Sequence, residues 1–187
     1  MRIILASLVL LASCAPSPSQ QGGPARVVEP RAVAGPAPRG EALLRQTMLD
    51  RHNAARRAVG VPPLVWNDAL AADARAYAGT MARTGRFAHA VQPQGPAREG
   101  ENLWTGTRDA YRYREMVDAW IAEKRFFTNG VTPAFSTTGN YEDVAHYTQI
   151  IWRGSRAVGC ALASNRTDDY LVCRYSPPGN VVGQKAL

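Results

Sequence analysis

The residues of this chain that could carry chemistry are three histidines and two glutamates in distinctive surroundings. The histidines are His52, His89 and His146; Glu101 follows a glycine, and Glu123 stands three residues after a tryptophan. Imidazole titrates near neutral pH and binds metal ions, and carboxylates bind the same ions or accept protons. Taken singly, each also has a structural explanation as a core histidine, a turn cap or a solvated glutamate. Chemistry therefore requires a fold that gathers them.

The strongest local signal is the stretch 146–152, His-Tyr-Thr-Gln-Ile-Ile-Trp. It begins with an imidazole and hydrogen-bonding side chains and then becomes apolar. Burial of the apolar part draws His146 to the edge of a core. We predict a short helical turn or strand end, with His146 at the border between core and solvent.

Length and charge set the class of protein. The 187 residues, 45% of them apolar, suffice for one domain with a real core. The net charge of +7 comes from twenty arginines and two lysines, and the arginines are scattered. No basic stripe alternates with aromatic residues, and no nucleic-acid motif is visible. We therefore predict a solvated basic surface and no nucleic-acid partner.

Residues 1–13 have the pattern of an export signal peptide. Arg2 supplies the positive start, and residues 3–11 form an apolar run that is too short to span a bilayer as a helix, which takes about 20 residues. Residues 11–14, Leu-Ala-Ser-Cys, resemble a bacterial lipobox, in which the leader is cut before the cysteine and Cys14 is acylated. The alternative is an ordinary signal peptide with a chance cysteine. We expect a membrane-anchored lipoprotein, periplasmic or at the cell surface, and otherwise an extracellular protein.

The segment that follows lacks hydrophobic periodicity. Residues 15–40 contain six prolines and four glycines, which is typical of a linker rather than of a folded element. We predict a lipid-anchored, disordered linker over 14–40, spanning about 30 Å as a flexible coil, and a single domain over 41–187.

Within that domain, apolar residues at helical spacing predict three helices. They run from near residue 41 to Gly60, from residue 67 or 68 to Gly85, and from about residue 109 to Asn129. Residues 86–107 are rich in proline and glycine and are expected to be irregular.

After Gly154 the apolar period becomes two, which predicts a β-hairpin around the polar turn 165–169. Folding it about the 166–167 bond sets Leu162 opposite Leu171 and Cys160 opposite Cys173. Directly opposed residues are close enough for a disulfide after a small adjustment. The number of cysteines supports this disulfide. If Cys14 is acylated, the remaining two cysteines can pair with each other in an oxidising compartment.

Several motifs occur in one order and together resemble the CAP superfamily of cysteine-rich secretory, antigen 5 and pathogenesis-related 1 proteins, also called SCP-like domains. The resemblance covers about residues 42–182, with Ala90 and Ala145 departing from the family pattern. The motifs are His52-Asn53-x-x-Arg56, Trp66 with Leu70-Ala71, Gly100-Glu101-Asn102, Trp120-x-x-Glu123, the 146–152 stretch, Gly159-Cys160-Ala161, and the 172–180 stretch Val-Cys-Arg-Tyr-Ser-Pro-Pro-Gly-Asn.

The resemblance implies an α+β fold, a three-layer α–β–α sandwich around a small antiparallel sheet. It also implies an open cavity lined by His89, Glu101, Glu123 and His146, whereas His52 belongs to the first-helix motif. Two imidazoles and two carboxylates form a ligand set for a divalent metal ion, and Zn²⁺ is the ion that we expect.

Three functions are compatible with this reading. The first is non-enzymatic binding of a lipid or sterol-like ligand, or of an extracellular partner, by a monomer. The second is a metal-dependent hydrolase or peptidase that uses the tetrad, with Glu101 and His146 as its catalytic residues. The third is a surface-interaction module whose tetrad only stabilises the cavity. No Ser–His–Asp order, catalytic cysteine or His-Glu-x-x-His helix is visible. We therefore assign no catalytic residue and favour binding over hydrolysis.

Overall fold

The computed structural model describes residues 35–187, which contain four α-helices, four strands and three short 3₁₀ turns. The predicted signal peptide, Cys14 and the linker up to residue 34 lie outside the described residues. The helices are α1 (Glu41–Ala58), α2 (Asp68–Thr84), α3 (Tyr113–Ala122) and α4 (Ala145–Ile151). The strands are β1 (Val65–Trp66), β2 (Gly100–Thr107), β3 (Ala157–Ser164) and β4 (Asp168–Ser176).

These elements form the three layers that the family resemblance implies. Helices α1, α3 and α4 contact one another on one face of the sheet, and α2 covers the other face by packing on β3 and β4. Apolar side chains of each helix meet the sheet in two separate cores, one on each face. Among residues 35–187, no helix combines the length and the apolar character needed to cross a bilayer.

The sheet has the order β1-β3-β4-β2 and is mixed rather than purely antiparallel. Strands β3 and β4 form the predicted hairpin, and β2 pairs antiparallel with β4. The exception is the two-residue β1, which runs parallel to β3. This short apolar segment between α1 and α2 bonds the backbone of β3 on the way into α2.

The predicted hairpin register is confirmed. Leu162 lies opposite Leu171, and Cys160 lies opposite Cys173. The two cysteines form the expected disulfide. Alternation of side chains along two adjacent strands is sufficient to set this register, because a slip of one residue would turn every apolar side chain to the other face.

The prediction that residues 86–107 are irregular is wrong for the last eight of them, which form β2. This strand is buried on both faces, so its sequence does not alternate between apolar and polar residues. Its glycines mark close contacts instead of turns: a Cβ on Gly100 would overlap the Gln149 side chain, and one on Gly106 would overlap the Trp104 ring.

The third helix is shorter than predicted. Residues 109–112 form a turn after β2, with Asp109 in the left-handed region at φ 57°. Helix α3 therefore begins at Tyr113, and it passes into a 3₁₀ turn over Glu123–Phe126. The tighter turn places Glu123 at the end of α3, where its side chain can reach α4.

One buried arginine ties α1 to the end of α4. Arg56 has no exposed surface, and its guanidinium donates hydrogen bonds to four backbone carbonyl oxygens. The acceptors belong to Pro62, Ile150, Trp152 and Ser155. Burial lowers the pKa of Arg56 to about 10, so the group stays charged at neutral pH.

Candidate functional site

Glu123 and His146 form the first half of the candidate site. The Nδ1 atom of His146 lies 2.6 Å from Oε1 of Glu123. Oε2 of Glu123 accepts the backbone N–H groups of His146 at 3.1 Å and Tyr147 at 3.0 Å. Val144, the N-cap residue of α4, makes no side-chain cap. Glu123 therefore takes over the capping of α4 and orients the imidazole at the same time.

Trp120 fixes the plane of this imidazole. Its ring stacks on that of His146, with centroids 5.9 Å apart and an interplanar angle of 15°. The indole N–H donates to the carbonyl oxygen of Leu103 in β2 at 3.1 Å. Because Trp120 is itself buried and hydrogen-bonded, His146 has little freedom to turn.

His89 and Glu101 form the second half. Oε1 of Glu101 lies 2.7 Å from Nδ1 of His89 and accepts the backbone N–H of Ala90 at 3.0 Å. The side chain of Glu101, on β2, is 5% exposed, whereas that of His89, in the loop after α2, is 55% exposed. The hydroxyl of Tyr77 donates to the carbonyl of Ala88 at 2.5 Å and holds the loop against α2.

The two halves have the same hydrogen-bond arrangement. Each glutamate binds the Nδ1 atom of its histidine and also a backbone N–H at or beside that histidine. Since an ionised carboxylate only accepts hydrogen bonds, this network assigns the proton of each neutral imidazole to Nδ1. The Nε2 atoms of His89 and His146 then keep their lone pairs, and they have no hydrogen-bond partner within residues 35–187. Each is available to a ligand.

Arg174 is a member of the site that the sequence did not reveal. It lies directly opposite Glu101 in the β2–β4 register, with Nη2 2.9 Å from Oε2 of Glu101. Its Nη1 is 3.4 Å from Oε2 of Glu99, and the guanidinium lies 5.3 Å from the centre of the Tyr77 ring. Opposite charges that face each other across two strands indicate such an ion pair. The sequence does not show this pairing unless residues 100–107 are known to form a strand.

Glu99 completes the charged surroundings of Arg174. Burial raises the pKa of Glu99, Arg174 opposes the shift, and the neighbouring Asp73 carboxyl adds to it. The Arg174 side chain is only 6% exposed. Its charge therefore acts on Glu101 and Glu99 with less screening than at an open surface.

A buried hydrogen-bond chain runs through the core from α1 to the carbonyl of His146. The His52 imidazole bonds the carbonyl of Met48 and the hydroxyl of Tyr175, each at 2.7 Å. Asn102 donates to that hydroxyl and to the carbonyl of His146, each at 3.1 Å. Burial lowers the pKa of His52 to about 4, partly offset by the Met48 carbonyl, with Arg56 lowering it further. His52 is thus neutral and structural at pH 7.

The structure brings each histidine of the predicted tetrad to a glutamate, giving two pairs. The pairs are neighbours along β2, because Asn102 follows Glu101 and donates to the carbonyl of His146. Within residues 35–187, however, no three acidic, histidine or cysteine side chains form a group placed to hold a metal ion. The Nδ1 and carboxylate atoms are already engaged with each other. Metal binding therefore stays a prediction.

Comparisons with known proteins agree with this architecture. A family model described as "CAP: Cysteine-rich secretory protein family" matches residues 49–175. A PR-1 type pathogenesis-related protein from Sambucus nigra is 40% identical over 141 residues, covering 75% of this chain and 80% of that protein. Pathogenesis-related protein 1C from Nicotiana tabacum is 38% identical over 141 residues, covering 75% and 79%.

Solved structures share the fold at lower identity. A crystal structure of NaASP2 with Zn²⁺ superposes with a TM-score of 0.63 and 21% identity, covering 79% of this chain and 85% of that one. The structure of BmVAL-1 gives a TM-score of 0.62 and 19% identity, covering 80% and 85%. From the family match, the relatives and the common fold together, this chain belongs to the CAP family of cysteine-rich secretory proteins.

Proposed function

We propose that this protein is an exported binding domain whose cleft binds a divalent cation through the Nε2 atoms of His89 and His146. Zn²⁺ is the ion that these ligands favour. The observation that carries the proposal is the pair of Nδ1–carboxylate bonds, at 2.7 Å and 2.6 Å, which leave both Nε2 lone pairs free. A carboxylate behind Nδ1 is the usual partner of a metal-binding histidine, because it sets the tautomer and raises the basicity of Nε2.

The donor set suits zinc better than the hard cations. Two neutral imidazoles with water completing the shell match the preference of Zn²⁺ for nitrogen ligands, whereas Mg²⁺ and Ca²⁺ take oxygen. NaASP2, which shares the fold, has been crystallised with Zn²⁺. When bound, the ion would supply a Lewis acid for an oxygen atom of a ligand. The residues of this chain would orient the imidazoles, with Glu101 and Glu123 bonded to their Nδ1 atoms.

The chain provides an internal control for a test by NMR. It has three histidines, and His52 is buried without any exposed surface. On titration of the full chain with Zn²⁺, the imidazole signals of His89 and His146 should shift together and saturate at one equivalent, while the His52 signals stay in place. The melting temperature should rise, and the rise should disappear in both His89→Ala and His146→Ala. The metal site would be contradicted if the His89 and His146 signals did not move. It would also be contradicted if Zn²⁺ raised the melting temperature equally in the wild type and the variants.

The geometry supports binding more than hydrolysis. A general base must be free to accept a proton from water, but Oε1 of Glu101 bonds His89 and Ala90, and Oε2 faces Arg174. For a hydrolase using this site, Glu101→Gln would abolish turnover of an ester and peptide panel while the fold remained. Turnover by the wild type that is lost in Glu101→Gln would decide for the enzyme and against the binding role.

The ligand that we expect in the cleft is a lipid-like or sterol-like molecule, or a segment of an extracellular partner. This part of the proposal draws on membership of the family, as does a monomeric state. The absence of a nucleic-acid partner stays a prediction from the scattered arginines of the sequence. Organic extraction of the purified protein followed by mass spectrometry tests it directly. The expected result is one equivalent of lipid from the wild type and less from His146→Ala. An extract without lipid would contradict the lipid ligand and leave an extracellular partner as the proposed ligand.

We also propose that Cys14 carries a lipid anchor. The supporting observation is that Cys160 and Cys173 are joined in a disulfide, so Cys14 is the third and unmatched cysteine of the sequence. In a bacterial host, the wild type should label with a palmitate analogue and sediment with membranes. Cys14→Ser should do neither. Equal membrane association of the two proteins would contradict the anchor.

A further inference from the structure

Acidic residues are missing from three long segments of this chain. Residues 51–67, 144–167 and 170–187 contain seven arginines and one lysine, and they contain no aspartate or glutamate. Segments of one sign concentrate positive charge wherever the fold brings them together. The arginines look scattered along the sequence, so the charged surface they form depends on where these segments meet.

The three segments meet at one end of the sheet, where β3 begins. The N–H of Val65 donates to the carbonyl oxygen of Arg156 at 3.0 Å, and the N–H of Arg153 donates to that of Ala186 at 2.8 Å. The buried guanidinium of Arg56 ties the end of α1 to the same place. The end of α1, the link between α4 and β3, and the C-terminal tail are therefore neighbours.

Four cationic side chains are exposed at this end, and we call them the basic face: Arg57, Arg153, Arg156 and Lys185. Within residues 35–187, none of the four has a side-chain hydrogen bond or an ion pair, whereas seven other arginines pair with acids. Burial lowers the pKa of Arg56, and the charge of Arg156 adds to the shift. The positive charges at this end thus repel one another without a neutralising acid, which favours an anionic partner.

Apolar side chains lie among these charges. The prolines at 62–63 are exposed, and Val65 is 64% exposed. No aromatic residue occurs in 57–65, 153–156 or 181–187, so the face lacks the rings on which nucleic-acid bases stack. Cations mixed with small apolar groups match the surface of an anionic bilayer, where lipid phosphates meet the cations and the acyl boundary accepts the apolar groups.

The basic face lies at the same end of the sheet as the candidate site. Strand β3 begins at Ala157, opposite Ser176 of β4, and the neighbouring Tyr175 pairs with Gly100 at the start of β2. Glu101 is the next residue of β2, so two strand spacings, about 10 Å, separate the start of β3 from the candidate site. A membrane in contact with the basic face would therefore lie beside the cleft.

The chain before the described residues is long enough to permit this orientation. It enters the fold at the opposite end of the sheet, where Arg39 pairs with Asp169 at 2.6 Å. The eight residues of β3 put about 26 Å between the two ends. From Cys14 to Gly35 there are 21 peptide units, which reach about 70 Å when fully extended. An anchor at Cys14 is thus compatible with contact through the far end.

We propose that the basic face docks on an anionic lipid bilayer and holds the candidate site next to the membrane. This docking goes beyond the function proposed above and depends on neither the metal ion nor the Cys14 anchor, because it uses different residues. Each cation near an anionic bilayer strengthens binding about fivefold. Four cations together should favour an anionic over a neutral bilayer by roughly 500-fold.

The test uses the full chain with Cys14→Ser, so that no lipid anchor contributes. The protein is sedimented with vesicles of phosphatidylcholine containing about one-third phosphatidylglycerol, and with vesicles of phosphatidylcholine alone. It should sediment with the anionic vesicles at about 0.1 M salt and stay in solution with the neutral ones. Raising the salt to about 0.5 M should release it, because salt screens the attraction.

Two variants at opposite ends of β3 separate the basic face from overall charge. Arg156 and Arg166 are both exposed, and neither has an ion pair within residues 35–187. Arg156→Glu changes the charge of the face by two and should weaken binding about 25-fold, and Arg153→Glu should do the same. Arg166→Glu changes the net charge equally but lies more than a Debye length away, so its affinity should stay within about twofold of wild type. Equal melting temperatures show that the variants are folded.

The orientation is read by NMR in bicelles of the same anionic composition, in which some lipid headgroups carry a Gd³⁺ chelate that broadens nearby amide signals. The signals of Gly154 and Lys185 should broaden, and that of Thr167 should not. Equal binding to anionic and neutral vesicles, equal losses in Arg156→Glu and Arg166→Glu, or broadening at Thr167 instead would overturn the proposal. Tighter binding to a duplex oligonucleotide than to anionic vesicles, at the same phosphate and salt concentrations, would also overturn it and identify a nucleic-acid partner.

Discussion

His52 should make the stability of this protein fall steeply in acid. The imidazole is fully buried between α1 and β4, where it bonds the Met48 carbonyl and the Tyr175 hydroxyl. The guanidinium of Arg56 lies on the same buried face of α1 and repels a second positive charge. Protonation would therefore place an uncompensated cation in the core and take away the acceptor of the Tyr175 hydroxyl.

The magnitude follows from the difference in pKa between the two states. The pKa of His52 is about 4 in the folded protein and 6.5 when the group is unperturbed. Between these values the unfolded chain binds a proton that the folded chain does not, so stability rises with pH. The contribution is complete above pH 6.5 and is lost as the pH falls toward 4. At about 1.4 kcal/mol per unit, the loss is on the order of 3 kcal/mol.

Urea denaturation between pH 7.5 and pH 4 measures this loss, with His52→Gln as the comparison. The His52→Gln variant should be less stable than wild type at pH 7, but its glutamine does not titrate. The difference in unfolding free energy between the two proteins should therefore shrink by about 3 kcal/mol as the pH falls from 7.5 to 4. NMR titration of the His52 ring gives the folded pKa independently. Parallel pH profiles for the two proteins, or a ring that titrates near 6.5, would refute the reasoning.

Three further changes test the packing. Replacing both Cys160 and Cys173 by alanine should lower the unfolding free energy by roughly 3 kcal/mol, since the loop they close spans 13 residues; denaturation with and without a reductant checks this, and no difference from wild type would contradict it. Arg56→Met should cost about 3–5 kcal/mol, because four buried carbonyl oxygens lose their donor, and a loss below 1 kcal/mol in urea would show that water replaces the guanidinium. Gly159→Ala should destabilise by about 1–3 kcal/mol, because its Cβ would overlap the backbone of α2. Its control Gly79→Ala lies in the middle of that helix, where the new methyl would meet only the flexible Arg83 side chain at 3.5 Å, an ordinary contact, and it should stabilise by up to about 1 kcal/mol. If both variants shift the melting temperature in the same direction, the close contact at Gly159 is contradicted.

The parts of the fold that were predictable have their signal within a short stretch of chain. Helix α2 follows from apolar residues at helical spacing between Asn67 and Gly85, which are its caps in the structure. The hairpin follows from alternation on both sides of one polar turn, and the same alternation sets Cys160 opposite Cys173. Neighbours in sequence are sufficient here because each of these elements has one buried side and one register.

The sequence by itself also determined membership of the family and the four residues of the candidate tetrad, because spaced motifs in a fixed order carry that information. Only the tertiary structure decided how the four are used. It paired His89 with Glu101 and His146 with Glu123, and it set Arg174 opposite Glu101. The physical reason is that β2 is buried on both faces, so its sequence lacks the alternation that reveals a strand. Its partners are chosen by contacts between segments far apart in the chain.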